Sequence, residues 1–401
     1  MGSGYTVYLQ AIKACSKRRT TTIAITVYVL FNMSMLFGQT NATIQGQITD
    51  QSGAVLPGVA ITVKNQDTGV ERMLVSDERG DYQVSALPVG RYRIEARLSG
   101  MKPELINGLV LEVGQVVVRN FKLQVGSVTE EVTVAAASAL IEVAQIDVGE
   151  VITPKTVQEI PLNGRHFLDM GMLIPGSVTP PANANLAAPL RGQGFFGFNT
   201  AGNREDSVNF LINGINLNDI SNQQVTFQPS INTVDEFKVS NSTFSAEYGR
   251  NSGGIVNVAT RSGTNALHGE VFNYFRNDAL DARNFFDVAK PAFHRNQYGG
   301  TFSGPIIKDK TFFFFSYEGL THHQGLSLSS GVLSDVQRAA VTDPVVKNLL
   351  QFIPRANVGA ATFRGPALAD VGNNQYTLDI SHHLAANDML HAYYANQRDS
   401  R

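Results

Sequence analysis

The stretch KDKTFFFFSYEG, residues 308–319, sets four phenylalanines in a row behind a compact charged turn. A strand with one wet face alternates apolar and polar residues. A run that is apolar on both faces needs a buried central strand, or lipid on one side and protein on the other. Phe312, Phe313, Phe314 and Phe315 therefore pose the question that decides the fold.

Working outward, the segments 268–276, 295–304, 311–319, 374–383 and 389–397 read as strands of about 9–11 residues, the length a tilted strand needs to cross a bilayer. Two alternate cleanly. Tyr298, Gly300 and Phe302 oppose Gln297, Gly299 and Thr301, and Tyr376, Leu378 and Ile380 oppose Thr377, Asp379 and Ser381. The connections around PIIKDKT and LAAND are short, whereas 277–294 is longer and 320–373 is very long. Short turns at one end and long loops at the other are the pattern of an outer-membrane barrel. A soluble sheet does not readily explain so long a loop.

Composition agrees with a mainly β chain. Charged residues make up 16% of the sequence, below the ~25% of soluble domains. The net charge of -2 gives no electrostatic footprint for nucleic acid. The single cysteine, Cys15, allows no internal disulfide and no cysteine-based zinc site. At the N-terminus, Lys17, Arg18 and Arg19 precede an apolar stretch from Ile23 to Phe31, and small Gly38 follows. This reads as a signal peptide over 1–38. A membrane anchor is the rival reading, but Thr26, Asn32 and Ser34 make the stretch polar for a spanning helix.

Residues 39–125 contain short alternating runs about ten residues apart, punctuated by Gly and Pro, the mark of a β-sandwich. In GRYRIEARL, Tyr92, Ile94, Ala96 and Leu98 share one face while Arg91, Arg93, Glu95 and Arg97 face water. The pattern from GQITDQSGAVLPGVAITV to DERGDYQVSALPVGRYRIEARLSG resembles a carboxypeptidase regulatory-like domain, a transthyretin- or Ig-like module. The module carries no peptidase chemistry, and no His/Glu zinc motif is present.

Residues 126–150 form a linker with one extended segment, Glu130, Glu131, Val132, Thr133 and Val134. On spacing alone it is the last strand of the sandwich; the other reading is a tethered strand that pairs with another protein's sheet edge. Residues 151–265 read as a small α+β domain. Thr153 is a candidate N-cap ahead of Pro154, two short helical stretches are divided by Pro161, and Asn213-Gly214 has hairpin chemistry.

Three long stretches carry a family resemblance: NGRHFLDMGMLIPG (163–176), FSAEYGRNSGGIVNVATRSGTNALHGEVFNYFRNDALDARNFF (244–286) and RNQYGGTFSGPIIKDKTFFFFSYEGL (295–320). With the sandwich ahead of them, they resemble the Oar-like TonB-dependent outer-membrane receptors. The resemblance implies a plug domain over 151–265 and an antiparallel transmembrane β-barrel from 266 to 401. It also implies that Glu130 to Val134 is a TonB box, engaged from the periplasm by TonB. The implied setting is the cell outer membrane, with sandwich and plug entry on the periplasmic side, lipid around the barrel and an unknown ligand. The ligand would be met by RGQGFFGFN, NGINLND and the long loops, whose Asn, Gln and aromatic residues suit oligosaccharides or peptides. Such receptors have about 22 barrel strands and this chain has five, so the barrel is incomplete and a longer reading frame beyond Arg401 is expected.

Enzymatic constellations, metal sites and cofactor motifs are absent from this reading. His322-His323 and His382-His383 sit on strands, where neighbours point to opposite faces. Arg250 and Arg261 at the end of the plug, with Glu270 and Glu318 on the first barrel strands, are candidates for plug–barrel ion pairs; ordinary solvated charge is the other reading. The alternative function is a non-transporting surface or adhesion protein.

Overall fold

The structure is a computed structural model. It describes residues 41–126, 132–135, 148–162, 164–178, 199–200, 202–203, 207–219, 225–241, 244, 248–249, 252–283, 290–385 and 388–400. The proposed signal segment, Glu130, Glu131, Arg250 and RGQGFFGF lie outside the described residues.

The first unit is a sandwich of two sheets. One sheet has β1 (Ala42–Asp50) between β4 (Asp81–Leu87) and β9 (Phe121–Val125), with β6 (Met101–Lys102) beyond β9 and β8 (Val116–Val118) also against β1. The other has the order β10 (Val132–Ala135), β7 (Glu104–Leu111), β5 (Gly90–Arg97), β2 (Ala60–Asn65) and β3 (Glu71–Val75). Alternation drives it. Tyr92, Ile94 and Ala96 are buried and Leu98 packs against the same core. Ile44, Ile48, Ile61, Leu109 and Phe121 complete the apolar layer, each such side chain stabilising by ~1.5–3 kcal/mol on burial. Two turns share one device: the carboxylates of Asp50 and Asp77 each accept backbone N–H groups two and four residues on.

The middle unit has a sheet of order β11 (Val148–Ile152), β14 (Val234–Asn241), β15 (Ile255–Thr260), β12 (Asn209–Ile212), β13 (Ile215–Asn216). Over it lie α1 (Pro154–Glu159) and a 3-10 turn, Phe167–Leu173. Thr153 caps α1 with Pro154 in its first turn. Phe167 meets Phe237 edge-on, ring centroids 5.5 Å apart. Asn213 (φ 47°) and Gly214 (φ 81°) make the left-handed turn of the β12–β13 hairpin.

The third unit is an open antiparallel meander of β16 (His268–Asn277), β17 (Phe293–Ile307), β18 (Thr311–Gly331), β19 (Thr362–His383) and β20 (Met389–Ser400). β18 and β19 run well past the expected 319 and 374, so the long connection is 332–361. That loop holds two short helices, α2 (Asp335–Ala339) and α3 (Pro344–Leu349). Sequence alternation fades in THHQGLSLSSG and FRGPALADV, and backbone pairing from Leu320↔Asn373 to Gly331↔Thr362 carries the strands instead.

Register settles the phenylalanine run. Phe312, Phe314 and Ser316 are 0%, 3% and 2% exposed and face the middle unit, whereas Phe315 is 41% exposed on the far face. The same outer face carries Ile306, Phe302 and Tyr298 of β17, Leu378 and Tyr376 of β19 and Tyr394 of β20, all exposed. From Ile306 to Tyr298 this band matches the ~9–11 residues that cross a hydrocarbon layer. One border is the turn Lys308-Asp309-Lys310. The other is a tyrosine row, with Tyr298–Tyr317 and Tyr317–Tyr376 ring centroids 6.3 and 4.9 Å apart, an aromatic girdle. Gly319 leaves room for the row, since a Cβ there would lie 2.7 Å from the Tyr298 ring. The strands therefore put an apolar band outside and, on the protein side, polar groups beside Phe312 and Phe314.

Candidate functional site

A cavity of about 60 Å³ lies where the middle unit meets the inner face of the strand sheet. Its floor is two loops of the middle unit, Gly164–His166 and Val225–Ser230; its wall is Gln297, Glu318, Gln375 and Gln397. These wall residues share one face because the register sets Glu318 opposite Gln375 and Gln375 opposite Gln397.

The seam is held by hydrogen bonds. Ser230 N–H donates to Gln375 Oε1 at 2.6 Å, and Ser230 Oγ donates to Glu318 Oε2 at 2.5 Å. Gln375 Nε2 donates to Gln228 O at 2.8 Å, and Gln297 Nε2 to Glu318 Oε1 at 2.7 Å. Both side-chain atoms of the Gln228 amide are buried without a protein partner, so the cavity offers a donor and an acceptor. On the other side, Arg165 adopts φ 56° after Gly164 at φ 96°. For a non-glycine this left-handed conformation costs ~1–3 kcal/mol. It sends the guanidinium over the Tyr274 and Phe272 rings at 4.1 and 5.2 Å, while Arg165 Nη2 donates to Asn232 Oδ1 at 2.6 Å. A set of amides, one carboxylate and one guanidinium suits a ligand that both donates and accepts hydrogen bonds.

The sequence-predicted residues are distributed as follows. Glu318 lies in the cavity wall, with Ser230 and Gln297 as its partners. Glu270 is exposed on the inner face of β16. Arg261 lies just past β15; its charge acts on Asp235 of its own unit. Among the described residues no ion pair joins Arg261 to Glu270 or Glu318. NGINLND forms the β12–β13 hairpin, with Asn218 Oδ1 accepting from Phe210 N–H at 2.7 Å. Val132, Thr133 and Val134 lie in β10, which runs parallel to β7 with Val132 opposite Glu104 and Val134 opposite Ile106.

His322 is fully buried and His323 exposed, on opposite faces as strand geometry requires. Among the described residues no group of three or more His, Cys, Asp or Glu side chains is placed to hold a metal. No described helix is long and apolar enough to cross a membrane. Arg165, Gln228, Ser230 and Gln375 escaped the sequence reading. Only the alternation of QYTLDIS signalled Gln375, as one of the polar positions on the face opposite Tyr376.

Known proteins resemble each part. The family described as carboxypeptidase regulatory-like domain matches residues 43–124, and the outer membrane beta barrel domain family matches 259–341. The TonB-dependent transporter Oar of Myxococcus xanthus is 23% identical over 353 residues, 84% of this chain and 32% of that protein. The chain thus spans about a third of the length of this curated relative. Among solved structures, a streptococcal ancillary pilin is 20% identical over 21% of this chain and 32% of its own, at a TM-score of 0.18. A putative carbohydrate binding protein from Bacteroides uniformis is 24% identical over 20% of this chain and 40% of its own, at a TM-score of 0.18. These two likenesses carry no functional weight. The barrel family and the curated relative support an outer-membrane location. With matches to a carboxypeptidase regulatory-like domain and an outer-membrane β-barrel domain on one chain, and similarity to Oar over most of its length, the chain is similar to Oar-like TonB-dependent receptors.

Proposed function

We propose that this chain forms the sandwich, the plug and the first barrel strands of a receptor that binds a ligand outside the cell and admits it when TonB displaces the plug. The observation that carries the reading is the two-faced wall. Its outer side is an apolar band with a tyrosine girdle, and its inner side is bonded to the middle unit through Ser230, Glu318 and Gln375. A wall of this kind separates lipid from a plug. The short turn Lys308–Lys310 and the sandwich then lie on the periplasmic side, and loop 332–361 lies outside.

The ligand class that fits the cavity is an oligosaccharide or a peptide, held by amide side chains such as Gln228 and Gln375. Glu130 to Val134 serves as the TonB box, the extended strand that TonB engages by backbone pairing. The test is uptake of labelled oligosaccharide and peptide pools by cells carrying the wild type or a deletion of residues 130–135. The deletion should abolish energised uptake and leave surface binding intact.

A second reading, a non-transporting surface or adhesion protein, draws support from one feature: Val132–Ala135 is paired as an ordinary edge strand of the sandwich. Wild-type behaviour of the deletion in both measurements would favour it.

A further inference from the structure

Among the described residues, two contacts between the sandwich and the plug stand out. At the first, the β2–β3 turn meets Asn265. The Asn265 N–H donates to Asp67 O at 3.1 Å, and Asn265 Nδ2 donates to Thr68 O at 2.8 Å. The same amide grips the turn before β18. Asp309 N–H donates to Asn265 Oδ1 at 2.8 Å, and Asn265 Nδ2 also lies 2.7 Å from Asp309 Oδ1. The approach is so close that a Cβ on Gly69 would lie 2.4 Å from Asp309 Oδ1.

At the second place, the chain leaving β7 inserts Val113 into the seam. Val113 is fully buried, yet it belongs to neither the sandwich core nor the plug core. Its N–H donates to Glu236 Oε1 of β14, a side chain that is 4% exposed. A buried carboxyl partnered in this way is costly to separate from its donor.

β7 therefore has two jobs at its two ends. Its first half, Glu104 to Asn107, pairs with β10; its far end leads through Glu112 into the Val113–Glu236 contact. Between the halves the pairing with β5 slips, from Ile94↔Ile106 to Tyr92↔Leu109, and Gly108 takes φ 72°. At such a bulge the ladder is locally disrupted and the strand bends. With β10 in place, the first half of β7 is held on both edges. Without it, β5 alone holds that half, and the backbone groups facing β10 are bared.

We propose that the sandwich is a latch, in which β7 couples Val132–Ala135 to the plug so that drawing that strand off loosens the grip on Glu236 and Asn265. The coupling stands on the strand pairing and the seam; its use by TonB rests on the function proposed above.

Hydrogen exchange on the full chain in lipid nanodiscs tests it. Val134→Pro removes an N–H donor from β10. It should speed exchange at 104–107, and also at the Val113 and Asn265 amides, roughly tenfold or more. Faster exchange at 104–107 with Val113 and Asn265 unchanged would overturn the latch. Coupling is reciprocal, so Asn265→Ala, a change in a half-buried turn outside both cores that keeps the test available should Val134→Pro fail to fold, must speed exchange at 132–135. Unchanged protection there would overturn it equally. Adding the isolated periplasmic domain of TonB to the wild type should reproduce the Val134→Pro pattern. Absence of any binding would count against the TonB-box reading, while the two variants still decide the coupling.

Discussion

The sandwich, a mixed β structure, and the strand wall, an antiparallel one, both alternate their side chains, yet they solve opposite solvent problems. In the sandwich, Ile94 and its neighbours point into a dry layer between two sheets, and Arg93 and Glu95 point outward. In the wall an apolar band points away from the protein, and the buried face sets Ser316, Thr377, Asp379 and Gln375 beside Phe312 and Phe314. The same period of two thus says that one face is apolar. It does not say whether that face meets protein or lipid.

The sharpest break of this comparison is to place a charge on each apolar face. Ile94→Asp buries an unpaired carboxylate and should cost more than ~4 kcal/mol, abolishing cooperative unfolding of the sandwich whatever surrounds the wall. Phe315→Arg should cost ~2–4 kcal/mol near the bilayer midplane. It should leave the chain tolerant in short-chain detergent and defective in folding into vesicles. Equal tolerance of Phe315→Arg in both media would remove lipid from that face.

A second test separates the two halves of the phenylalanine run. Phe314→Ala leaves a cavity against the middle unit and should cost ~3–5 kcal/mol. Phe315→Ala opens no void, because mobile acyl chains fill the space, so it should cost clearly less. Urea-dependent folding into vesicles measures both, and equal losses would contradict the assigned faces.

How much of this was legible beforehand follows from the same contrast. Alternation in GRYRIEARL and in QYTLDIS marked strands and their faces, and Thr153-Pro154 and Asn213-Gly214 marked a helix start and a turn by local chemistry. Four identical residues in FFFF carry no parity, so only the seat of the plug distinguishes Phe312 and Phe314 from Phe313 and Phe315. Ser230 and Gln375 are 145 residues apart in sequence, and no local pattern joins them. Arg165 was hidden for a related reason: its strained backbone and its aromatic partners on β16 exist only after docking. Val132–Ala135 was visible as a strand, but nothing in four short residues specifies β7 as its neighbour.

A smaller effect concerns pH at the seam between the sandwich and the middle unit. Burial pushes the Glu236 carboxyl up to about 8; the neighbouring Asp235 and Glu112 charges push the same way, and the Val113 N–H opposes them. Asp235 is itself raised by burial, with Arg261 pulling it down and Asp67 pushing it up. Lys238 lies two residues along the same strand. A carboxyl raised on docking holds a proton that the separated state releases. Its contribution is therefore complete below about 4.5, an ordinary glutamate value, and is lost as pH rises through about 8. Exchange at the Val113 amide should accelerate across that window beyond the intrinsic base catalysis, and Glu236→Gln should flatten the excess. An excess that persists in Glu236→Gln would assign the titration to Asp235.

The smallest expected effect lies in neither apolar face. Thr153 Oγ1 accepts from Thr156 N–H at 3.5 Å, a long bond, and its backbone carbonyl accepts from Val157 N–H at 3.0 Å. Thr153→Ala removes the first, together with the 3.1 Å bond between the Thr153 and Thr156 hydroxyls, and keeps the second, so it should cost at most ~0.5–1 kcal/mol. Asp at this position offers a carboxylate to the same N–H groups and should recover the loss, with a gain from the helix dipole. Val157 is fully buried in the plug core, so a loss well above ~1 kcal/mol in urea unfolding would mean that α1 is held by its cap rather than by that anchor. In that case the middle unit would share the local, turn-driven logic of the sandwich, where Asp50 and Asp77 hold their turns through backbone N–H groups two and four residues on.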